Sequence, residues 1–382
     1  MTTTTDPRLG LVAGEASGDL LASLLLQGLK TRWPALQSMG IGGPRMQAQG
    51  FQAWWPSHKL SIFGYLDALL NLRELLAIRR QLGDRLIETR PEVFVGVDAP
   101  DFNFGLERRL REAGIKTVHF VCPSIWAWRP ERVETIRRSA DHVLCLFPFE
   151  PEILQAQGIG ATYVGHPLAD RIPLEPPRVT AREQLGLGAE DRVVALLPGS
   201  RRSEIQFIAP PLLRAAVLML AQRPGLRFIL PVAPGMRPLV EQLCRQHAPG
   251  LALQLLEGQS HEALAACDLT LVASGTATLE AALFKRPMVI AYKLHWFNYW
   301  RMKGKALQPW VGLPNVLARE FLVPELLQDD CTAENLAREG LAWLGDPARC
   351  ARVGERFLEQ HLSLRCNTAQ RAGDAIAQLL AR

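Results

Sequence analysis

LTLVASGTATLEAALFKRPMVI, residues 269–290, changes its period twice. Leu269 to Val272 is an apolar run that stops at Ser274-Gly275-Thr276. Ala and Leu then recur at helical spacing, and Pro287 to Ile290 returns to an apolar run of strand length. Strand, turn, helix, strand is the unit of a parallel α/β sheet. Such a turn aims the unpaired N–H groups of the helix's first turn, and the positive end of its dipole, at the crevice beyond the strand, where a phosphate can sit. Gly275, Thr276, Ala277 and Thr278 are the candidate donors. Glu280 is out of place beside a phosphate unless it accepts bonds from hydroxyls, as a ribose would offer; the alternative is that it complements the helix dipole. A capping box is excluded, because Ala277 stands three residues before it.

The same alternation runs outward from this stretch in both directions. Apolar runs at Leu9–Ala13, Val93–Val97, Thr117–Val121, His142–Leu146 and Thr162–Val164 form one series. A Pro-rich passage, Ile172-Pro173-Leu174-Glu175-Pro176-Pro177, interrupts it. Val193–Leu197, Arg227–Val232, Leu251–Leu255, Leu269–Val272 and Met288–Tyr292 form a second series. Two doubly wound α/β halves with a cleft between them are expected, with the boundary at the prolines.

At 382 residues, 48% hydrophobic and 21% charged, the chain has the composition of a soluble globular protein of two or three domains. A net charge of +5 suits an anionic substrate or membrane surface and is weak for a dedicated nucleic-acid binder. Seven cysteines without a C-x-x-C pair read as free thiols in a reducing cytosol. The start, MTTTTDPR, is not a secretory signal, and no uninterrupted apolar run reaches spanning length. Any membrane is therefore met from the side.

Four further stretches carry chemistry. Gly14-Glu15-Ala16-Ser17-Gly18-Asp19 follows the first strand, but its carboxylates would repel a phosphate; hydroxyl recognition by Glu15 is the functional reading, and Asp19 reads as a helix-start residue. Val93 to Val97 drives a buried strand to Asp98, which Ala99-Pro100-Asp101 ends, so Asp98 stands at the carboxyl end of a parallel strand, where open α/β sheets keep their chemistry. Leu197-Pro198-Gly199-Ser200-Arg201 repeats the strand-to-helix turn: Gly199 permits close backbone approach, and Arg201 or Arg202 can neutralise a diphosphate. LSIFGYLDALLNLRELLAI, residues 60–78, is more apolar than one buried face requires and is flanked by Arg73, Arg79, Arg80 and Arg85. Phe63, Leu66, Leu69, Leu70, Leu72 and Leu76 are its candidate membrane-facing residues, a core helix being the alternative. Trp126-Ala127-Trp128-Arg129 and Trp296-Phe297-Asn298-Tyr299-Trp300-Arg301, with Lys303 and Lys305, suit a membrane or acyl-chain surface better than base stacking. No D-x-D, H-x-H, G-x-S-x-G or Walker pattern supports a metal or a serine triad.

Taken in order with Pro123-Ser124-Ile125-Trp126-Ala127-Trp128 and Gly312-Leu313-Pro314-Asn315, these motifs closely resemble those of the lipid-A-disaccharide synthase family over nearly the full length. The resemblance implies a GT-B fold, two doubly wound Rossmann-like domains facing a central cleft. Residues 1–172 would form the acceptor-binding, membrane-facing domain and 173–360 the UDP-sugar domain, with 361–382 crossing back to the first. It implies an inverting, metal-independent glycosyltransferase without cofactor that joins UDP-2,3-diacylglucosamine to lipid X, releasing UDP and a β-1′,6-linked disaccharide phosphate. Asp98 is then the general base and Asn315 lies near the reacting sugars; Glu15, from the reading of the residues, is the further catalytic candidate. Gly199, Ser200, Arg201, Gly275 to Thr278 and Glu280 bind UDP. A homodimer, cytoplasmic and peripheral to the inner membrane, with no nucleic-acid partner, is also implied. The rival is a UDP-sugar epimerase of the same fold, which would need no acyl-binding surface.

Overall fold

The computed structural model describes residues 6–14, 16–56, 60, 65–293 and 307–381, and of residues 16 and 65–72 the backbone alone. Glu15, Phe63, the side chains of Leu66, Leu69, Leu70 and Leu72, and the second aromatic cluster with its lysines lie outside what is described. The chain forms two compact units, Met1–Arg171 with Ser363–Arg382, and Ile172–Leu362.

The first unit runs β1 (Arg8–Ala13), α1 (Ala16–Arg32), β2 (Gln37–Gly42), α2 (Pro44–Ala48), β3 (Gln52–Pro56), α3 (Tyr65–Thr89), β4 (Val93–Val97), α4 (Pro100–Glu112), β5 (Lys116–Phe120), α5 (Arg132–Ser139), β6 (His142–Cys145), α6 (Glu150–Gln155), β7 (Ala161–Tyr163) and α7 (Pro167–Arg171). Its seven strands are all parallel, in the order β3-β2-β1-β4-β5-β6-β7. The second unit runs α8 (Arg178–Gln184), β8 (Arg192–Leu197), α9 (Arg202–Gln222), β9 (Leu226–Val232), α10 (Arg237–His247), β10 (Leu253–Glu257), α11 (Ser260–Ala266), β11 (Leu269–Ala273), α12 (Thr276–Leu283), β12 (Met288–Tyr292), α13 (Leu313–Ala318), β13 (Glu325–Leu327), α14 (Ala333–Gly345) and α15 (Pro347–Leu364). Its six parallel strands are ordered β10-β9-β8-β11-β12-β13. In each unit the order reverses beside the first strand, between β1 and β4 and between β8 and β11, which is the doubly wound arrangement.

Burial on both faces explains why the strands read as unbroken apolar runs. In β4, Val93, Val95 and Val97 pack with Leu25 and Leu29 of α1, while Phe94 faces Ile78, Leu82 and Leu86 of α3 and Leu106 and Leu110 of α4. Three strands outside the expected runs are β2, β3 and β13. In β2 the reason is local: Gly40, at φ 139°, lies where any Cβ would overlap the Leu11 carbonyl of β1, so the strand cannot be continuously apolar.

A last helix, α16 (Thr368–Leu380), belongs to the first unit. Its Ala372, Ile376 and Leu379 complete the apolar cluster around α1, and a Cβ on Gly28 of α1 would overlap Ala369. The Asp170 carboxylate accepts the N–H groups of Asn367 and Thr368 at 2.9 and 2.6 Å, capping this helix from α7. Among the described residues only α9 is long and apolar enough to cross a membrane. Ile205, Ile208, Leu212, Leu213 and Met219 bury it in the second unit's core.

Candidate active site

Each of the motif turns following β1, β4, β8 and β11 begins at the carboxyl end of a strand flanking one of the two reversal points. This is the crevice position at which doubly wound sheets bind ligands.

In the second unit, Gly275 has φ 150° and precedes α12, whose first residue is Thr276. Among the described residues, and apart from its chain neighbours, nothing lies within 4 Å of where a Cβ on Gly275 would be, so none of them covers the helix start. Thr278 works inward: it is buried, and its hydroxyl donates to the Gly275 carbonyl at 2.8 Å, bracing the turn. Glu280 lies in the second turn of α12, beyond the reach of a dipole effect confined to the first. It is paired instead with His261 of α11, Nε2 to Oε2 at 3.1 Å, and His261 in turn packs 5.3 Å from the Phe284 ring.

The turn after β8 already holds an anion. Glu204 folds back over Gly199 so that its Oε2 accepts the N–H groups of Ser200 and Arg201 at 3.2 and 3.3 Å, while Oε1 pairs with Arg201 Nη1 at 3.3 Å. Gly199, at φ 106°, makes this possible, since a Cβ there would come within 2.6 Å of Glu204 Oε2. A diphosphate bound by Arg201 and these N–H groups must displace a carboxylate.

Asn315, expected beside the reacting sugars, is fully buried. Its amide nitrogen donates to Val323 O and Glu325 Oε1, both at 2.9 Å, and its oxygen accepts Val323 N–H at 3.1 Å. Both amide hydrogens are committed, so the side chain has nothing to donate to a sugar. It braces the Gly312-Leu313-Pro314 segment, whose Val311 and Gly312 N–H groups go to Glu325 at 2.9 and 2.8 Å. Burial pushes the Glu325 carboxyl up, against the pull of those donors. Ser274 Oγ donates to Val311 O at 3.2 Å and ties the segment to the β11 turn.

In the first unit, Asp98 is exposed at the end of β4, with its N–H on Phe120 O at 2.9 Å. Asp101 is 88% exposed and paired with Arg132 at 2.6 Å. Asp19 lies in the first turn of α1 as expected, but its carboxylate is buried and accepts Gly43, Arg45 and Met46 N–H at 2.9 to 3.1 Å, capping α2. Trp126, read from sequence as a surface aromatic, turns inward: it meets Phe149 and Phe147 edge-on at 5.2 and 6.3 Å, and its indole donates to Glu150 at 3.1 Å. Burial pushes the Glu150 carboxyl up to about 8 despite that bond and the backbone donors facing it.

His261 and Glu204 contact the candidate residues directly, and sequence alone did not single them out. His261 is 19 residues from its partner on another helix, so no local spacing marks it. Glu204 stands within a quoted motif, but only the fold-back reveals what it does.

Two parallel sheets of doubly wound order, each with motif turns at its reversal point, define a GT-B protein. The fold matches a putative UDP-N-acetylglucosamine 2-epimerase from Listeria monocytogenes (TM-score 0.68, 14% identity, 98% of this chain and 96% of that one). It also matches the calicheamicin glycosyltransferase (TM-score 0.63, 15% identity, 99% of each chain). Sequence goes further. A family model described as lipid-A-disaccharide synthetase matches residues 9–377. The lipid-A-disaccharide synthases of Verminephrobacter eiseniae and Albidiferax ferrireducens are 56% and 55% identical, each match covering 98% of this chain and 97% of the relative. The chain belongs to the lipid-A-disaccharide synthase family, glycosyltransferases of lipid A biosynthesis.

Proposed function

We propose that the protein transfers 2,3-diacylglucosamine from UDP to the 6-hydroxyl of lipid X with inversion, at the cytoplasmic leaflet of the inner membrane and as a homodimer. The observation that carries this reading is the placement of the four motif turns at the reversal points of the two sheets. The second unit takes UDP: the open start of α12 and Arg201 receive the diphosphate, and Glu280, oriented by His261, accepts the ribose hydroxyls. The first unit takes the acceptor. A sugar hydroxyl is a poor nucleophile at neutral pH, and Asp98 removes its proton as the new bond forms on the face opposite UDP. The proton ends on the carboxylate, and the C–O electron pair of the broken glycosidic bond leaves with UDP.

An epimerase shares the fold but interconverts one sugar nucleotide without an acceptor. Incubation with UDP-2,3-diacylglucosamine and lipid X in detergent, followed by mass spectrometry, separates the two. A disaccharide phosphate that requires both substrates is expected. An altered UDP-sugar formed without lipid X overturns the transferase reading.

A further inference from the structure

Asp98 and Ala99 are consecutive non-glycine residues in the left-handed region, at φ 51° and 42°. L-residues avoid this conformation, and it persists only where the surroundings impose it. The Ala99 carbonyl accepts the Phe102 and Asn103 N–H groups, both at 3.0 Å, and two of the bonds to Asp98 bear on the kink directly. Phe120 O of β5 takes the Asp98 N–H at 2.9 Å, and the Asn103 side-chain amide donates to the Asp98 carbonyl at 2.8 Å, with a longer contact to Val97 O at 3.4 Å. Asn103 is fully buried in the first turns of α4 and so is out of a substrate's reach. Its place is carved by Gly96, where a Cβ would lie 3.0 Å from Asn103 Cβ and overlap the Glu107 carboxyl. One helical turn on, Glu107 is bonded to His119 Nδ1 at 2.7 Å, both fully buried. His119 pairs in register with Gly96, and the next residue, Phe120, supplies the carbonyl that holds Asp98. A buried polar pair thus ties α4 to β5 directly beneath both restraints on Asp98.

We propose that Asn103 is a positioning residue for the transfer reaction: its amide fixes the Asp98 carbonyl, and with it the left-handed kink that sets where the Asp98 carboxylate points. This rests on the reading of Asp98 as the base. A base must stay within hydrogen-bond reach of the proton it takes, and a displacement of about 1 Å can cost on the order of 10²-fold in rate.

The test uses the full chain with UDP-2,3-diacylglucosamine and lipid X in detergent, comparing wild type, Asn103→Ala, Asp98→Asn and the double variant. Asn103→Ala is expected to lower kcat by roughly 10- to 100-fold, leaving UDP affinity and donor KM within about two-fold. In the Asp98→Asn background it should lower the residual rate no further, because the residue acts through a carboxylate that is gone. An equal fold-loss in both backgrounds makes Asn103 an ordinary core residue and overturns the proposal. Asn103→Leu keeps most of the volume without the donor and should reproduce the loss of kcat; a folded Leu variant with wild-type kcat overturns it, as does unfolding of both variants. Full turnover in Asp98→Asn alone removes the base itself, and is read before Asn103 is touched.

Discussion

Glu280, in the second turn of α12 and paired with His261, is the residue on which the proposed nucleotide reading turns. Glu280→Ala should weaken UDP binding by a charge-assisted contact of about 1.5–3 kcal/mol, roughly 10- to 100-fold, without change in melting temperature. Calorimetry returning wild-type affinity would remove the ribose site. Arg201→Ala should cost less, near the lower end of that range, since Arg201 surrenders its pairing with Glu204 before it meets a diphosphate. A loss larger than that of Glu280→Ala would show that Glu204 does not compete. A third residue sets a pH response. His166 is buried, which pushes its imidazole down to about 4 from 6.5, and its Nδ1 accepts Leu168 N–H at 3.2 Å at the start of α7. Between those values the unfolded chain binds a proton that the folded one refuses. His166 therefore contributes stability above pH 6.5 that is lost as pH falls toward 4. The amount at stake is on the order of 3 kcal/mol. His166→Asn keeps a neutral acceptor, so its denaturation midpoint should be flatter over that window; a slope equal to wild type would place the titration elsewhere.

At the scale of elements, α3 is the helix that bears on membrane attachment. The helix extends from Tyr65 to Thr89, well past the apolar segment, and its C-terminal half is core: Ile78, Leu82 and Leu86 are buried against Phe94. Leu76, by contrast, is 44% exposed. Replacing Leu69, Leu72 and Leu76 together by Ser should release the protein from anionic vesicles in a flotation assay while leaving its melting curve intact. An insoluble or molten variant would make those side chains core, because buried hydroxyls without partners are costly. The same helix shows what the sequence could and could not disclose. Its apolar excess was readable, as were the parallel strands, because burial on both faces writes continuous runs such as VFVGV. The turns after β4, β8 and β11 were readable because glycine or a prolyl stop must punctuate them. β2 was not, since the close approach of Leu11 demands Gly40 within it. Nor were the pairings of Glu107 with His119 and of Glu280 with His261, which join separate elements 12 and 19 residues apart with no periodicity between. Asn315 was assigned to the sugars from a motif alone; its saturated amide shows that a motif residue can serve by holding its segment in shape.

For the whole molecule, the telling feature is that α16 returns to the first unit after the second is complete. The packing is close: Ala369 against Gly28, and Ala372, Ile376 and Leu379 in one cluster with Leu25, Leu26 and Leu29. A chain ending at Leu362 should keep a protease-resistant second unit, while the first, its apolar face stripped of cover, is digested or aggregates. Equal resistance of both units would mean that α16 adds little. Synthesis runs in one direction, and this sets an order on events in the cell. A ribosome delivers β1 to β7 early, then all of Ile172–Leu362, and only after that the helix that seals α1. Through that interval the nascent first unit stands with an uncovered apolar groove, the state in which partly folded chains associate wrongly. A chaperone that shields α1 until α16 has emerged would guard that groove through the interval in which nothing else covers it.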